Sequence, residues 1–448
     1  MITRRVAAIL AVGAVLLCAA GTLGSPSARW PWWAALGLLA FLAVLSLVDL
    51  ALAASISTVT LSRAGDRVMW LDESANVDLT VHNGSPRFMR ARLRDAWVPS
   101  AGAAPYEHWL DIEPGGRATV TTTLTPTRRG DRPAVRVTLR SYGPLHFAYR
   151  QRSQRFLATI TPPWTIRVLP RFAARRFLPE KLARLRVLDG AVVIRGRGQG
   201  TEFDALREYV VGDDVRSIDW RASARRSDVV VRTWRPERDR RVLCVLDTGR
   251  TSAARVGDEP RLDAAIDAAL LLAALASKAN DRVDLLAIDT AVRASVTNES
   301  KRMLLWRLIT AMAPLSPALV ETDFGLVAGE VLRRERKRAL VVLFTALEPG
   351  ALGEGLLPVL SRLAARHKVV VAAVYDPALA ALSTLDGRTE VTVDDVYTAA
   401  AAQRALAERE RVRAALTRYG VEVVDAPIDV FASRVADAYL AMKAAGRL

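Results

Sequence analysis

Acidic side chains set among arginines are the first candidates for chemistry in this sequence. Between Gly196 and Arg232 stand Glu202, Asp204, Glu208, Asp213, Asp214 and Asp219, interleaved with Arg207, Arg216, Arg221 and Arg225 and with Phe203, Leu206, Tyr209, Ile218 and Trp220. Clustered carboxylates are what a metal-assisted hydrolase needs to hold its ions, and guanidinium forks beside them suit a phosphate. The same composition also builds a specific docking surface, because an arginine beside each acid balances its charge and presents a planar, multi-donor face. Arg207 adjoins Glu208, Arg216 stands just before Asp219, and Arg221 and Arg225 follow it, which favours docking over catalysis. Gly196, Gly198 and Gly200 precede charged residues and do not join a strand to a helix, so they lack the setting of a dinucleotide fingerprint. No Gly-x-x-x-x-Gly-Lys-Ser/Thr, Gly-x-Ser-x-Gly or His-Glu-x-x-His occurs, so P-loop ATPase, serine hydrolase and zincin chemistry have no starting residues.

A second candidate follows at Asp247-Thr248-Gly249-Arg250-Thr251, directly after the apolar run Val242 to Leu246. Continuous apolar runs of that length read as buried parallel strands, and ligands of open α/β sheets collect at the carboxyl ends of such strands. The elements that would position the turn are legible downstream. Strands are expected at Val283 to Ile288, Ala339 to Phe344, Val369 to Val374 and Val421 to Val424. Helices are expected at Arg261 to Ala279, Lys301 to Ala313, Phe324 to Arg336, Leu356 to Arg366, Asp394 to Arg418 and Asp429 to Lys443. This alternation predicts a doubly wound, mostly parallel sheet covered on both faces.

Upstream, Ile56 to about Arg167 reads differently. Short alternating runs such as Val77 to Val81, Arg90 to Trp97, Ala118 to Leu124 and Ala134 to Leu139 are punctuated by Asn83-Gly84, Pro114-Gly115-Gly116 and Arg129-Gly130-Asp131, which predicts an antiparallel β-sandwich. His82, His108 and His146 stand alone there, and Asn83-Gly84-Ser85 reads as a turn. Between Leu169-Pro170 and the acidic block lies an arginine-rich connector.

The first residues are apolar enough for lipid. Val6 to Leu23 is uncharged, and Trp33 to Ala54 forms a second run with Asp49 near its exit, where a carboxylate can reach the interface. Trp30, Trp32 and Trp33 fit an interfacial belt, and Arg4 and Arg5 place the N-terminus and the bulk of the chain in the cytoplasm by the positive-inside rule. A cleaved signal peptide over residues 1–24 is the rival reading, and it leaves the bulk on the same side. With 448 residues and a formal charge of +16, nucleic acid enters as a partner class, but the arginines are dispersed and mixed with acids instead of gathered on one element. An anionic membrane leaflet would also attract such a surface. Cys18 and Cys244 imply neither a disulfide framework nor a zinc site.

The block GQGTEFDALREY, VVGDDVRSIDWRASARR and VVVR resembles the bacterial domain-of-unknown-function 58 (DUF58) family, and the alternation beginning at Asp247 resembles a von Willebrand factor A-like domain. Leu124-Thr125-Pro126, Tyr142-Gly143-Pro144-Leu145 and Ile166 to Pro170 match the family's usual waypoints more loosely. The resemblance implies a membrane-anchored cytosolic protein partnered with a MoxR-type AAA+ ATPase. It also implies a metal turn of the Asp-x-Ser-x-Ser kind, for which this chain offers Asp247, Gly249 in place of the first Ser, Thr251, and Thr322 as the loop hydroxyl; Ala346 stands where the last acid is expected, with Asp323 or Glu348 as substitutes in a shifted register. Mg²⁺ is the ion such a turn would take, and with two ligands missing the expectation is no cofactor.

The expected architecture is a transmembrane hairpin (1–55), a β-sandwich (56–167), the signature segment (168–240) and a von Willebrand A-like α/β domain (241–448). The expected function is a non-enzymatic, membrane-tethered interaction or scaffold protein of the inner (cytoplasmic) membrane, with Arg207, Glu208, Tyr209, Gly212, Asp213, Asp214, Arg216, Asp219, Trp220 and Arg225 as the partner-binding set. The alternatives are a metal-dependent hydrolase using the Glu202 to Asp219 acids and a basic module for anionic lipid or nucleic acid.

Overall fold

Two apolar helices come first, α1 (Arg4–Leu23) and α2 (Trp30–Leu52), in a computed structural model that describes residues 2–23, 30–152, 161–195, 202–211, 213–225, 228–235, 240–385 and 391–447. Among the described residues one helix, Trp32–Leu52, is long and apolar enough to cross a membrane. Trp32, Trp33, Leu36, Phe41, Val44 and Leu47 on it are exposed, and each would forgo about 1.5–3 kcal/mol of burial if water were its solvent. The chain divides into two compact units, Met1–Leu169 and Pro170–Leu448.

The first unit carries strands β1 (Thr60–Gly65), β2 (Val68–Trp70), β3 (Ala75–His82), β4 (Met89–Trp97), β5 (Ala103–Ala104), β6 (Glu107–Ile112), β7 (Arg117–Leu124), β8 (Gly130–Tyr142), β9 (Tyr149–Arg152) and β10 (Thr165–Leu169). They form a four-stranded sheet ordered β1-β3-β7-β5 and a six-stranded sheet ordered β2-β10-β8-β4-β6, with β9 on β8. Period-two alternation decides what each face buries: Met89, Ala91 and Leu93 of β4 join the core with Val81, Leu139 and Ile112, while Arg90, Arg92 and Arg94 point the other way. The Asn83-Gly84 turn is built from inside. Asn83 is buried and its amide donates to the carbonyls of Arg87, Ile112 and Glu113.

Asp49, near the exit of α2, is buried, and its carboxylate accepts the backbone amides of Leu145 (2.7 Å), Phe147 (2.8 Å) and Ala148 (2.8 Å) in the β8–β9 turn. Three amide donors satisfy a carboxylate that would otherwise need water.

In the second unit the arginine-rich connector contains a helix, α3 (Leu178–Arg195), whose buried Lys181 meets Asp437 at 2.9 Å. Residues of the signature follow as β11 (Glu202–Glu208), α4 (Trp220–Ser223) and β12 (Val230–Arg235). Next come β13 (Arg241–Asp247), β14 (Arg255–Val256), β15 (Glu259–Pro260), α5 (Arg261–Lys278), β16 (Arg282–Ile288), β17 (Val292–Val296), α6 (Lys301–Met312), α7 (Phe324–Arg334) and β18 (Leu340–Phe344). The short α8 (Pro349–Ala351), then α9 (Leu357–Arg366), β19 (Lys368–Tyr375), α10 (Ala378–Leu382), α11 (Val393–Arg418), β20 (Glu422–Pro427) and α12 (Ile428–Ala444) complete the described elements.

Six strands form the sheet in the order β17-β16-β13-β18-β19-β20, parallel except for the antiparallel edge strand β17, which the sequence reading did not anticipate. β13 has its successor β16 on one side and β18 on the other. The chain therefore reverses direction across the sheet beside β13, and that switch point leaves a crevice at the carboxyl ends of β13 and β18. Leu243, Val245, Val341, Leu343 and Val371 fill the core on one face with Phe324 and Leu360, while α5 is buried along nearly its whole length.

Candidate functional site

Asp247 ends β13 at this switch point and is almost completely buried. Its Oδ1 accepts the Gly249 amide (2.8 Å) and the Thr322 hydroxyl (2.5 Å), and its Oδ2 accepts the hydroxyls of Thr251 (3.2 Å) and Thr345 (2.6 Å). Ser252 Oγ closes the turn by donating to the Asp247 carbonyl at 2.6 Å. The structure thus brings together all four residues singled out in the sequence, Asp247, Gly249, Thr251 and Thr322. It adds Thr345, which lies at the end of β18 directly beside Ala346.

This donor set does not fit a divalent cation. Thr251, Thr322 and Thr345 all donate to the Asp247 oxygens, and Ala346 stands where a second acid would be needed to offset the charge of the ion. A hard cation needs several oxygen ligands aimed outward into a shared space. Gly249 shows why the turn is closed: a Cβ there would collide with the Thr322 hydroxyl and come within 2.9 Å of the Val320 carbonyl. The substitutes are held by other donors. Asp323 accepts the Leu326 amide as the N-cap of α7 (2.9 Å), and Glu348 pairs with Arg261 (2.8 Å). Among the described residues no group of three or more His, Cys, Asp or Glu side chains is placed to hold a metal.

One strand over, Asp289 after β16 accepts the Thr248 hydroxyl (3.0 Å) and Arg293 Nε (2.7 Å). Burial opposes its ionisation, yet Arg293, Thr248 and the amides of Ala291 and Thr290 together hold its carboxyl below the usual range. The rim outside is open: Arg250 pairs with Glu321 at the surface, and Leu319 is 82% exposed with Val320 beside it. Cys244, inside β13, is inert at neutral pH because burial, with the Asp284 charge, pushes its thiol up to about 12.

The signature is a two-stranded antiparallel hairpin, β11 on β12, whose connecting segment is organised by its own aspartates. Asp213 accepts from Arg207 (2.5 Å) and the Val210 amide (3.0 Å). Asp214 accepts the Arg216 amide at 3.0 Å. Asp219 caps α4 through the amides of Arg221 and Ala222 and pairs with Arg232 at 2.8 Å, so backbone and guanidinium donors hold its carboxyl below the usual range. These acids are therefore distributed as caps along a turn and do not converge on one point. Glu202 and Asp204 sit on β11, Tyr209 donates its amide to the Val229 carbonyl (2.8 Å), Glu208, Arg216 and Arg225 are exposed, and Gly212 lies outside the described residues, as do Gly196, Gly198 and Gly200. Beside these charges the segment also exposes apolar side chains: Trp220 is 66% and Val211 94% exposed, with Val210 and Val215 nearby in sequence.

Residues 205–422 match the family described as "Protein of unknown function DUF58". Uncharacterized proteins of Mycobacterium bovis and Mycobacterium tuberculosis are 29% identical over 184 residues, covering 40% of this chain and 56% of each relative. The chain thus spans little more than half the length of these relatives. Among solved structures, the CARDB domain of a Pyrococcus furiosus protein is similar at 14% identity and a TM-score of 0.19, covering 25% of this chain and 91% of that one. A FixG-related protein of Vibrio parahaemolyticus is similar at 14% identity and a TM-score of 0.16, covering 22% and 95%. Scores this low carry no argument for fold or function.

Proposed function

We propose that this chain, which carries a DUF58 family domain over residues 205–422, is a membrane-tethered interaction protein with its bulk in the cytosol. In this reading both apolar helices span the inner membrane. The second unit is a von Willebrand factor A-like domain that takes no metal, and it engages a MoxR-type AAA+ ATPase through the strand-end face and the signature hairpin. The observation that carries the reading is the saturation of Asp247. The one carboxylate at the switch point is occupied by four protein donors, while the surface around it and the hairpin expose Leu319, Val320, Val211 and Trp220. Partner surfaces are enriched in aromatic anchors such as Trp220 and in arginines.

The test is gentle detergent extraction of the full chain followed by identification of the proteins that stay attached. An AAA+ ATPase is expected with the wild type and is expected to be lost from Trp220→Ala and Leu319→Asp variants whose melting curves are unchanged. If both variants keep the ATPase, or the wild type never holds one, the reading fails.

A further inference from the structure

The joint between the apolar helices and the first unit sets the depth of a neighbouring surface. Asp49, one turn before the end of α2, accepts the amides of Leu145, Phe147 and Ala148, and Arg150 Nε and Arg87 Nη1 donate to the last-turn carbonyls of Leu50 and Ala51. Thr3, just before α1, bonds the same turn through the carbonyls of His146 (2.7 Å) and Phe147 (2.9 Å). Both helices are therefore fixed to one turn. Cationic side chains on the terminal carbonyls also complement the helix dipole.

Flanking that turn is a cluster of aromatic rings and arginines. Tyr142 adjoins Gly143 and Tyr149 adjoins Ala148; the two rings lie 5.5 Å apart, and Tyr142 is 5.4 Å from both Trp109 and His146. Arg92 lies over Trp109 (5.9 Å) and Arg140 over Tyr149 (5.2 Å), on the face that β4, β6 and β8 turn away from the core. Trp109 is 62% exposed. Depth follows from α2: Leu47, Val48 and Leu52 are exposed apolar residues on either side of Asp49, and the headgroup layer beyond the hydrocarbon is only about 5–7 Å deep per leaflet. Tyr142 and Tyr149 flank the turn that holds Asp49, and Trp109 packs on Tyr142, so the cluster lies beside the end of α2.

We propose that the sheet face bearing Trp109, Tyr142, Arg92 and Arg140 is a contact surface for anionic phospholipid headgroups. It rests on the reading of α2 as a membrane span. Tryptophan and tyrosine favour the headgroup level, where an apolar ring and a polar edge are both accommodated. On the same face Arg90 pairs with Asp111 and Arg92 with Glu107, with Arg94 and Arg140 in excess of these acids, which complements the negative surface of an anionic leaflet. Rigid attachment through Asp49 means that the face meets headgroups without a separate ordering cost for each encounter.

The experiment uses the full chain in nanodiscs of phosphatidylcholine with phosphatidylglycerol, with a spin label on the headgroup of one lipid or the other. Trp109 emission is isolated as the difference between wild type and Trp109→Phe. The expected result is stronger quenching of that component by labelled phosphatidylglycerol, and a preference that falls about fivefold for each of Arg94→Gln and Arg140→Gln. Circular dichroism identical to wild type is the folding check for these variants. Equal quenching by both labels, or none while the protein stays in the disc, overturns the surface. Elution apart from the disc overturns the membrane span and the surface with it, so the two failures are distinguishable.

Discussion

Placing serine at Gly249 would restore the first Ser of the Asp-x-Ser-x-Ser pattern, with Thr251 in the place of the second, and the structure predicts that it harms the protein. The new Cβ would displace the Thr322 hydroxyl and press within 2.9 Å of the Val320 carbonyl, which itself accepts the Arg250 amide at 2.8 Å. Losing the Thr322 bond to a buried carboxylate costs about 1.5–3 kcal/mol, and overpacking adds about 1–3 kcal/mol. For a unit of this size, a loss in that combined range lowers the melting temperature by roughly 5–20 °C. A serine hydroxyl can take over part of the donation to Asp247, so Gly249→Ala is expected to melt lower than Gly249→Ser. The assay is thermal unfolding of the full chain in detergent, with and without magnesium. An ion bound at one hundredth of its added concentration would stabilise by about 2.7 kcal/mol, readily visible on the same curve; no such shift is expected for wild type or either variant. Wild-type melting of Gly249→Ala would refute the packing of Thr322 on Asp247, and a magnesium-dependent rise in the wild type would refute the closed turn.

Thr345→Val removes one hydroxyl from Asp247 while keeping the side-chain shape, and an unfolding titration should register a loss of about 1.5–3 kcal/mol. Asp267, on α5, is pushed from its ordinary 3.8 up to about 6, first by burial, although the Ala174 amide and Arg176 oppose the shift. A raised carboxyl pKa gives stability that is complete below the unfolded value and lost as pH rises through the folded one. Asp267→Asn should therefore stabilise at pH 7.5 by up to about 3 kcal/mol and do little at pH 4; melting curves at the two pH values check it, and equal effects at both would contradict it. Asp49→Asn and Gly143→Ala both disrupt the joint, since a Cβ at Gly143 would collide with the Asp49 carboxylate. Hydrogen exchange at Leu145, Phe147 and Ala148 should speed up by about tenfold for every 1.4 kcal/mol lost, with the amides of β3 and β7 as the unchanged reference.

The aspartates of the signature show how the same residue types serve two ends. A catalytic cluster needs carboxylates converging on a common point, whereas Asp214 and Asp219 each turn to amides two or three residues ahead, and Asp213 ties together Arg207 and Val210. Short polar side chains capture nearby backbone donors readily, which is why a run dense in Asp, Ser and Gly folds into successive caps. The apolar side chains left outside, Val211 and Trp220, are then the part of the segment with the most to gain from a partner.

Periodicity alone determined much of this protein. The apolar run through Trp32–Leu52, the alternation of β4 and β8, and the parallel strands and long helices from Arg241 onward were legible because each rests on near neighbours in sequence. Asp247, Gly249, Thr251 and Thr322 were legible as candidates by residue type. Only the tertiary structure decided what they do. Thr322 and Thr345 reach Asp247 from 75 and 98 residues away, and Asp49 meets amides 96 to 99 residues on. Those meetings depend on strand order and on which ends of the elements come together, which no local pattern encodes. The Asp247 carboxylate at the end of β13 and the Asp49 carboxylate near the end of α2 are each enclosed by donors that folding alone delivers.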